Sequence, residues 1–268
     1  MIEYRDVHKA FDVPVLSGVS FTVENGETLA VLGPSGTGKS VLLKTTIGLI
    51  VPDAGDVIID GQSVFGANAD ELQAIRRKAG YVFQNAALFD SMNVFENVAY
   101  GLPEGALKKL GRKEVTRRVS RSLEEVNLDP ALVMAKLPAE LSGGMRKRVG
   151  LARAIVGEPQ ILLYDEPVTG LDPVNAAAVD RLIADIAERT HVTSIVVTHD
   201  VEGALEISDR VSLLEGGKLR FLGTPDEFRR SDDPLVRAFA DRKAAVAAAL
   251  EGSARSSRIN DARTATVP

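Results

Sequence analysis

The chain of 268 residues contains no cysteine. This absence excludes disulfide bonds, thiol catalysis and zinc or iron–sulfur sites ligated by cysteine. The chain also lacks any apolar run near the roughly 18 residues of a membrane-spanning helix. Its first residues, MIEYRDVHKAFD, do not show the basic and then apolar layout of a signal peptide. If the protein works at a membrane, we expect another chain to cross it.

An excess of positive charge is also missing. The net charge is −5 and the isoelectric point about 5.4, so we expect no nucleic-acid partner for the chain as a whole. A basic cluster, GRKEVTRRVSR at 111–121, is typical of the solvated side of an amphipathic helix. The alternative for this cluster is contact with anionic lipid or nucleic acid.

Short segments with strand patterning fill the first third of the chain. Residues 1–31 are predicted to form strands and hairpins, with Asn25-Gly26 as a turn signal. An apolar strand at 27–33 enters a Gly-rich turn, an apolar helix follows at 40–50, and 56–61 is a strand and turn.

The middle of the chain, about 85–156, is predicted to be helical. One helix face there carries four apolar residues at helical spacing: Val115, Val119, Leu123 and Val126. Residues 160–166 and 192–200 are short apolar runs typical of buried parallel strands. Asp172-Pro173 predicts a helix start, followed by an apolar stripe of Val179, Leu182, Ile183 and Ile186. Residues 210–223 predict a hairpin around Gly216-Gly217.

Strands that alternate with helices indicate an α/β fold with a parallel sheet covered on both faces. The helical block at about 85–156 is then an inserted lobe of a domain that covers 1–240. For 241–268 we expect a C-terminal helix and a tail. Because residues 251–268 are polar and small, we expect that tail to be disordered.

GPSGTGKS at 33–40 matches the phosphate-binding pattern G-x-x-x-x-G-K-[ST] and lies between a strand and a helix, as that pattern requires. Its backbone N–H groups and the helix N-terminus are expected to hold phosphate oxygens. Lys39 is expected to reach the β- and γ-phosphates, and Ser40 to ligate Mg²⁺. We therefore assign the phosphate cradle to the whole loop: Gly33, Pro34, Ser35, Gly36, Thr37, Gly38, Lys39 and Ser40.

Three polar residues follow the two buried strands. Asp165 ends the first strand and Glu166 comes next, while His199 closes the second. In an open parallel sheet, ligands collect beyond the carboxyl ends of the strands, so we expect all three near the phosphates. Because strand side chains alternate, the two acids are expected to point opposite ways. Asp165 would then hold Mg²⁺, and Glu166 would face an attacking water.

LSGGM at 141–145 is a second candidate anion site. Ser142 is suited to cap a helix, Gly143 and Gly144 expose backbone amides, and a basic stretch follows. The loop at 33–40, called the P-loop below, is expected to surround the phosphates of the chain's own nucleotide, so the source of this second anion is a separate question.

Five motifs together resemble the ATPase subunit of ABC transporters, in that family's order. They are the P-loop, GYVFQNAALF with Gln84, LSGGM, ILLYDEP and GLDP, and the late His199 follows them. The likeness covers about residues 2–240. It implies a P-loop NTPase cassette in which an antiparallel β subdomain and a helical lobe accompany the mostly parallel sheet. It also implies ATP and Mg²⁺ as cofactors, and a homodimer in which each LSGGM segment closes on the other chain's ATP.

The resemblance also implies roles for single residues. Phe11 would stack on adenine, with a core aromatic as the alternative. Gln84 would sense Mg²⁺ and the attacking water, and Asp172 would cross the dimer interface. The catalytic set is then Glu166, His199, Lys39 and Gln84. Met145 and Val168 depart from the family pattern, which has Gln at the first position and Ser or Thr at the second in many members.

LSGGM, the segment 88–102 and the ending DDPLVRAFADRK at 232–243 look like the ATPase of bacterial Mla/Mce-type lipid transport systems. This narrower likeness implies phospholipid transport through a separate membrane permease, at the cytoplasmic face of the cell membrane. Further partners would be a lipid-binding protein and a small regulatory subunit. A helix of the permease would contact four residues after Gln84, unless they belong to the core: Phe89, Met92, Val94 and Phe95.

Two other functions stay open at this point. One is an importer ATPase for amino acids or other small solutes, whose motor would be identical. The other is a non-transport switch on DNA or ribosomes. The roughly 100 residues between the P-loop and LSGGM leave no room for the long coiled coil of DNA-repair relatives, and ribosomal relatives usually hold two cassettes in one chain.

Overall fold

The computed structural model describes residues 1–103 and 105–240. Strands in this part of the chain are β1 (Ile2–Ala10), β2 (Pro14–Val23), β3 (Thr28–Leu32), β4 (Ala54–Ile59), β5 (Gln62–Ser63), β6 (Ala79–Val82), β7 (Ile161–Asp165), β8 (Thr193–Thr198), β9 (Arg210–Glu215) and β10 (Lys218–Gly223). Helices are α1 (Lys39–Thr46), α2 (Ala69–Arg77), α3 (Val94–Ala99), α4 (Ala106–Glu125), α5 (Pro130–Val133), α6 (Gly143–Ile155), α7 (Pro173–Thr190), α8 (Val201–Ile207) and α9 (Pro225–Arg229).

The central sheet has the strand order β10-β9-β3-β8-β7-β6. Its strands β9, β3, β8, β7 and β6 run parallel, and β10 is added antiparallel at one edge. Every residue of β3, β7 and β8 is buried, as expected for strands covered on both faces. The predicted α/β class with a mostly parallel sheet is therefore confirmed.

A smaller antiparallel sheet lies beside it, in the order β2-β1-β4-β5. Strands β1 and β2 pair in register at Ile2↔Val23 and Tyr4↔Phe21, and the last two rings stack at 4.3 Å between centroids. The apolar face of this sheet joins α1 and one face of β3, β7 and β8 in a single hydrophobic cluster. This is the expected antiparallel subdomain.

A second hydrophobic cluster joins the helical lobe to the other face of the central sheet. Both predicted apolar stripes lie in it: Val115, Val119, Leu123 and Val126 from α4, and Val179, Leu182, Ile183 and Ile186 from α7. A third cluster covers β3 and β9 with α8, α9 and residues 234–240. The lobe is thus fixed to the sheet by a continuous apolar core.

Two local expectations differ from the structure. The Asn25-Gly26 turn does not close a hairpin, because β2 pairs with β1 while β3 enters the other sheet. Helix α1 ends at Thr46, before a turn in which Gly48 has φ +65°, a conformation that favours glycine. The sequence made no prediction for Gly111, where helix α4 is interrupted because φ and ψ are not helical.

Residues 83–93 are also not helical, so the helices of the lobe begin at α3 and end with α6. The domain boundaries at 1–240 stay a prediction, and the expected C-terminal helix and tail at 241–268 lie outside the described residues. Among the helices of the part that the structure describes, none has both the length and the apolarity to cross a bilayer.

Candidate active site

The P-loop connects β3 to α1 and is held tightly by its neighbours. Gly38, just before α1, has φ +98°, and a Cβ there would lie 2.9 Å from Val15 O. A Cβ on Gly33 would lie 2.4 Å from Leu214 O, so neither position accepts a side chain without movement. Thr37 Oγ1 donates to Pro34 O at 2.9 Å. The loop therefore has the form of a preformed backbone cradle.

Lys39 is the first residue of α1, and its ammonium is buried at the centre of the site. Its Nζ donates to Gly33 O at 2.8 Å and to Pro34 O at 3.0 Å. Nζ also lies 3.5 Å from Glu166 Oε1. Burial lowers the pKa of this ammonium, while the charges of Glu166 and then Asp165 oppose that shift. The structure therefore brings the P-loop cation and the predicted catalytic acid together.

Ser40 and Asp165 offer two hard oxygen donors side by side. Ser40 Oγ donates to Asp165 Oδ1 at 2.6 Å, and Tyr81 OH donates to Asp165 Oδ2 at 3.0 Å. Burial, and then the charge of Asp165, raise the pKa of the Tyr81 phenol, so it stays a donor. In the described part of the chain, no group of three or more acids and histidines forms an all-protein metal site. A hydroxyl and one carboxylate fit Mg²⁺, which keeps several waters and takes further oxygens from phosphates.

Glu166 follows β7 in a left-handed backbone conformation, with φ +50°. Its Oε2 lies 2.7 Å from His199 Nδ1 and accepts from Thr169 Oγ1 at 3.0 Å. The expectation that the two acids point opposite ways is wrong, because strand alternation ends at Asp165. Both carboxylates face the P-loop, Asp165 towards Ser40 and Glu166 towards Lys39.

Phe11 lies in the short turn between β1 and β2, and its side chain is 61% exposed. Lys9 Nζ lies 5.3 Å from the ring centroid. Val15, four residues further along, is the residue that packs against Gly38 of the P-loop. The alternative of a core aromatic is therefore wrong. An exposed ring is available to a base, and the stacking role stays a prediction.

The LSGGM segment lies at the start of α6. Ser142 caps this helix by accepting from Met145 N at 3.2 Å, Gly143 is exposed, and Gly144 packs against Asn175 of α7. Asp172 caps α7 by accepting from Asn175 N at 3.1 Å, and hydrogen bonds lower the pKa of its carboxyl. Within residues 1–103 and 105–240, no hydrogen bond or ion pair joins 142–144 to the P-loop. The structure therefore leaves this second anion site apart from the chain's own phosphate cradle.

Gln84 lies in the irregular segment after β6 and is exposed. Its carbonyl oxygen accepts a hydrogen bond from Lys147 Nζ. Across the described residues, no hydrogen bond links the Gln84 side chain to Ser40, Asp165 or Glu166. Its role towards Mg²⁺ and water stays a prediction.

The four residues proposed to meet a permease divide into two kinds. Val94 is fully buried and Phe95 packs partly against the core of the lobe, so for these two the core alternative holds. Phe89 is 39% exposed and packs edge-on against Tyr100, with 4.7 Å between ring centroids. Met92 is partly buried. Only one member of this exposed aromatic pair, Phe89, was predicted from the sequence, and Tyr100 was not included.

Other contributors to the site were missed. Tyr81 orients Asp165, Thr169 bonds Glu166, and Lys147 donates to the backbone oxygens of Gln84 and Glu166. Tyr81 lies in β6, next to β7, but only strand order reveals that neighbour. Thr169 follows Glu166 by three residues and was the one detectable from local spacing.

Comparison with known proteins agrees with this geometry. The sequence profile of the family described as ABC transporter matches residues 16–169, which is more than half of the chain. The chain therefore belongs to the ABC transporter family and is an ATP-binding cassette, whose cofactors are ATP and Mg²⁺.

Individual relatives differ in the transport named for them. The chain is 43% identical over 239 residues to the probable ribonucleotide transport ATP-binding protein mkl of Mycobacterium tuberculosis, covering 89% of this chain and 66% of the relative. It thus spans just under two thirds of that protein. It is 41% identical over 261 residues to the chloroplast protein TRIGALACTOSYLDIACYLGLYCEROL 3 of Arabidopsis thaliana, covering 90% and 73% of the two chains. It is 43% identical over 228 residues to the sulfate/thiosulfate import protein CysA of Caulobacter vibrioides, covering 84% and 65%.

Among solved structures, the chain resembles the dimeric post-hydrolysis state of the ATP-binding cassette MJ0796, bound to ADP and Pi. The TM-score is 0.76 at 30% identity, and the match covers 84% of this chain and 99% of that one.

Proposed function

We propose that this chain is the ATP-hydrolysing subunit of a transporter that moves phospholipid through a separate membrane permease. The observation that carries the hydrolysis is the approach of Glu166 Oε1 to Lys39 Nζ, at 3.5 Å, where β7 meets the P-loop. This contact supports a role for Glu166 as general base beside the cation that would bind the terminal phosphate.

The residues of the site divide the chemistry of phosphoryl transfer. Lys39 and the P-loop amides bind the phosphates, and Glu166 accepts a proton from a water that Gln84 and His199 align. Ser40 and Asp165 would hold Mg²⁺, which when bound would offset phosphate charge. Tyr81 and Thr169 hold the two carboxylates in separate orientations, so that each keeps its own task.

We propose further that hydrolysis needs two copies of the chain. The amides at Gly143 and the capped N-terminus of α6 suit an anion, yet they make no polar contact with the chain's own P-loop. A neighbouring copy would bring its γ-phosphate to them. Val174, 80% exposed beside the Asp172 cap, is an apolar residue for the same dimer surface. Loss of the γ-phosphate then removes the anion that holds the two copies together, and they part.

Support for a phospholipid as the transported molecule comes from the relatives. The Arabidopsis relative bears the name of a galactosylated diacylglycerol and matches this chain over 90% of its length. The likeness of 88–102 and 232–243 to the Mla/Mce-type ATPases points the same way. The alternative is import of a small solute, because the sulfate/thiosulfate import relative is 43% identical to the chain, against 41% for the Arabidopsis relative. In both cases the cassette would lie at the cytoplasmic face of the cell membrane.

The permease would dock on the surface formed by Phe89 and Tyr100. Asn97 is fully buried and holds the loop at 89–92 that carries Phe89. Its Oδ1 accepts from Phe89 N at 2.8 Å, and its Nδ2 donates to Phe89 O and Met92 O. An aromatic pair on a preformed loop is suited to receive an apolar partner with little loss of conformational entropy.

The test is isolation of the complex from detergent-solubilised membranes through a tag on this chain, followed by mass spectrometry of proteins and lipids. We expect a permease, a lipid-binding protein and phospholipid. A sulfate-binding or amino-acid-binding protein without lipid would contradict lipid transport. Phe89→Asp should lose the permease, whereas Leu132→Asp, at a more exposed apolar residue of the lobe, should retain it.

A further inference from the structure

One face of α6 holds the loop that carries Gln84. Lys147, Gly150 and Arg153 follow each other at intervals of three residues, so they share a side of the helix. Lys147 Nζ donates to Gln84 O, and the Arg153 guanidinium donates to Ala86 O and, at 2.7 Å, to Ala87 O.

Between the two cations the helix and the loop are in direct contact. A Cβ on Gly150 would lie 3.1 Å from Ala86 Cβ, so the backbones approach closely. Ala86 and Ala87 have φ of +59° and +46°, a conformation unusual for alanine. The loop is therefore held in a form that it would not favour alone.

Lys147 also crosses from the helical lobe to the central sheet. Its Nζ lies 3.4 Å from Glu166 O, the carbonyl of the proposed catalytic base. Because the Glu166 side chain contacts Lys39 and His199, Lys147 joins α6 directly to the chain's own phosphate site.

The burial of these cations is costly. Lys147 and Arg153 are buried, and burial lowers the pKa of both groups. Within residues 1–103 and 105–240, no carboxylate oxygen lies within ion-pair distance of either one. Burying a cation whose hydrogen-bond partners are all carbonyl groups lowers the stability of the fold. An apolar side chain at this position would avoid that loss of free energy. The Lys147 ammonium links three segments: helix α6, the loop that carries Gln84, and the residue Glu166 that follows β7.

The other end of α6 is the anion site at Ser142 and Gly143. Lys147 lies five residues beyond the cap, about 7.5 Å along the helix axis. An anion drawn to the N-terminus of α6 therefore acts on the same rigid helix that holds Gln84 and Glu166.

We propose that Lys147 is a positioning residue that couples the two nucleotide sites of the dimer. The LSGGM end of α6 binds the neighbour's ATP, and Lys147 transmits that event to Gln84 and Glu166 of its own chain. Each site then becomes fully competent only when the other is filled. This inference rests on the shared-site dimer of the proposed function.

The experiment measures phosphate release against ATP concentration for the full chain and for Lys147→Met. Methionine has nearly the same length but cannot donate, and it removes the cost of a buried charge, so the variant should fold. We expect the wild-type Hill coefficient to exceed 1, and K147M to bring it to about 1 with at least about a fivefold loss of kcat. Lys147→Arg, which keeps the charge and the donors, should restore much of the cooperativity.

Lys113→Met is the matched control, because Lys113 is an exposed lysine of the same lobe. It should keep the wild-type Hill coefficient. A wild-type coefficient of 1, or K147M with wild-type cooperativity, would overturn the coupling. Failure of the shared-site dimer has a different result, since Glu166→Gln with Mg²⁺ and ATP would then stay monomeric in size-exclusion chromatography.

Discussion

Glu166→Gln separates the binding of ATP from its hydrolysis. Gln has the same shape as Glu and can still accept from Thr169 Oγ1, so the geometry of the site should persist. It cannot take a proton from water. A positioned general base contributes about 10²–10⁴ in rate, or about 2.7–5.5 kcal/mol of the barrier. We therefore expect kcat to fall at least about a hundredfold.

The same substitution removes a negative charge 3.5 Å from Lys39 Nζ, so ATP affinity should be unchanged or higher. With Mg²⁺ and ATP the variant should accumulate as a dimer in size-exclusion chromatography. Phosphate release at saturating ATP gives kcat, and calorimetry gives affinity. Glu188→Gln, an exposed acid on α7, is the control and should match wild type. A kcat for E166Q within threefold of wild type would refute the role of Glu166.

Three further substitutions test other parts of the account. Lys39→Ala should weaken ATP binding at least about tenfold, since it removes charge-assisted hydrogen bonds to phosphate; unchanged affinity in calorimetry would contradict the cradle. Phe11→Ala should raise the KM for ATP about three- to tenfold, the amount expected for one ring stack; an unaltered KM would exclude adenine stacking. Asn97→Ala should lower the free energy of unfolding by about 2–4 kcal/mol in urea, because buried backbone groups lose their partners. Asn68→Ala, which removes only the exposed cap of α2, should cost about 1 kcal/mol, and an equal loss in both variants would contradict the reasoning for Asn97.

The central sheet was predictable because its strands are buried on both faces. Such strands appear in the sequence as short apolar runs, and the runs at 160–166 and 192–200 are β7 and β8. Turn residues carry less information about which strands pair in a sheet. Asn25-Gly26 specifies a reversal of the chain, but not which strands pair on either side of it. The sequence therefore suggested a hairpin where the chain passes from one sheet to the other.

The site was predictable to the extent that strand ends determine it. The carboxyl ends of β7 and β8 bring Glu166 to Lys39 and His199 to Glu166, as the parallel sheet required. The orientation of Glu166 was not predictable from alternation, because its left-handed backbone ends the strand pattern. Lys147 was missed for a different reason. Its partners lie 63 and 19 residues away, and only tertiary packing brings them to α6.

The most direct test of the account asks whether Ser142 of one copy closes on the P-loop of another. The absence of cysteine makes engineered thiols unambiguous. In the Glu166→Gln background, chains with Ser35→Cys and chains with Ser142→Cys are mixed and treated with a short bifunctional thiol reagent. We predict cross-links between the two kinds of chain with Mg²⁺ and ATP, and none without nucleotide. ATP-saturated chains that give no cross-link would contradict the shared site.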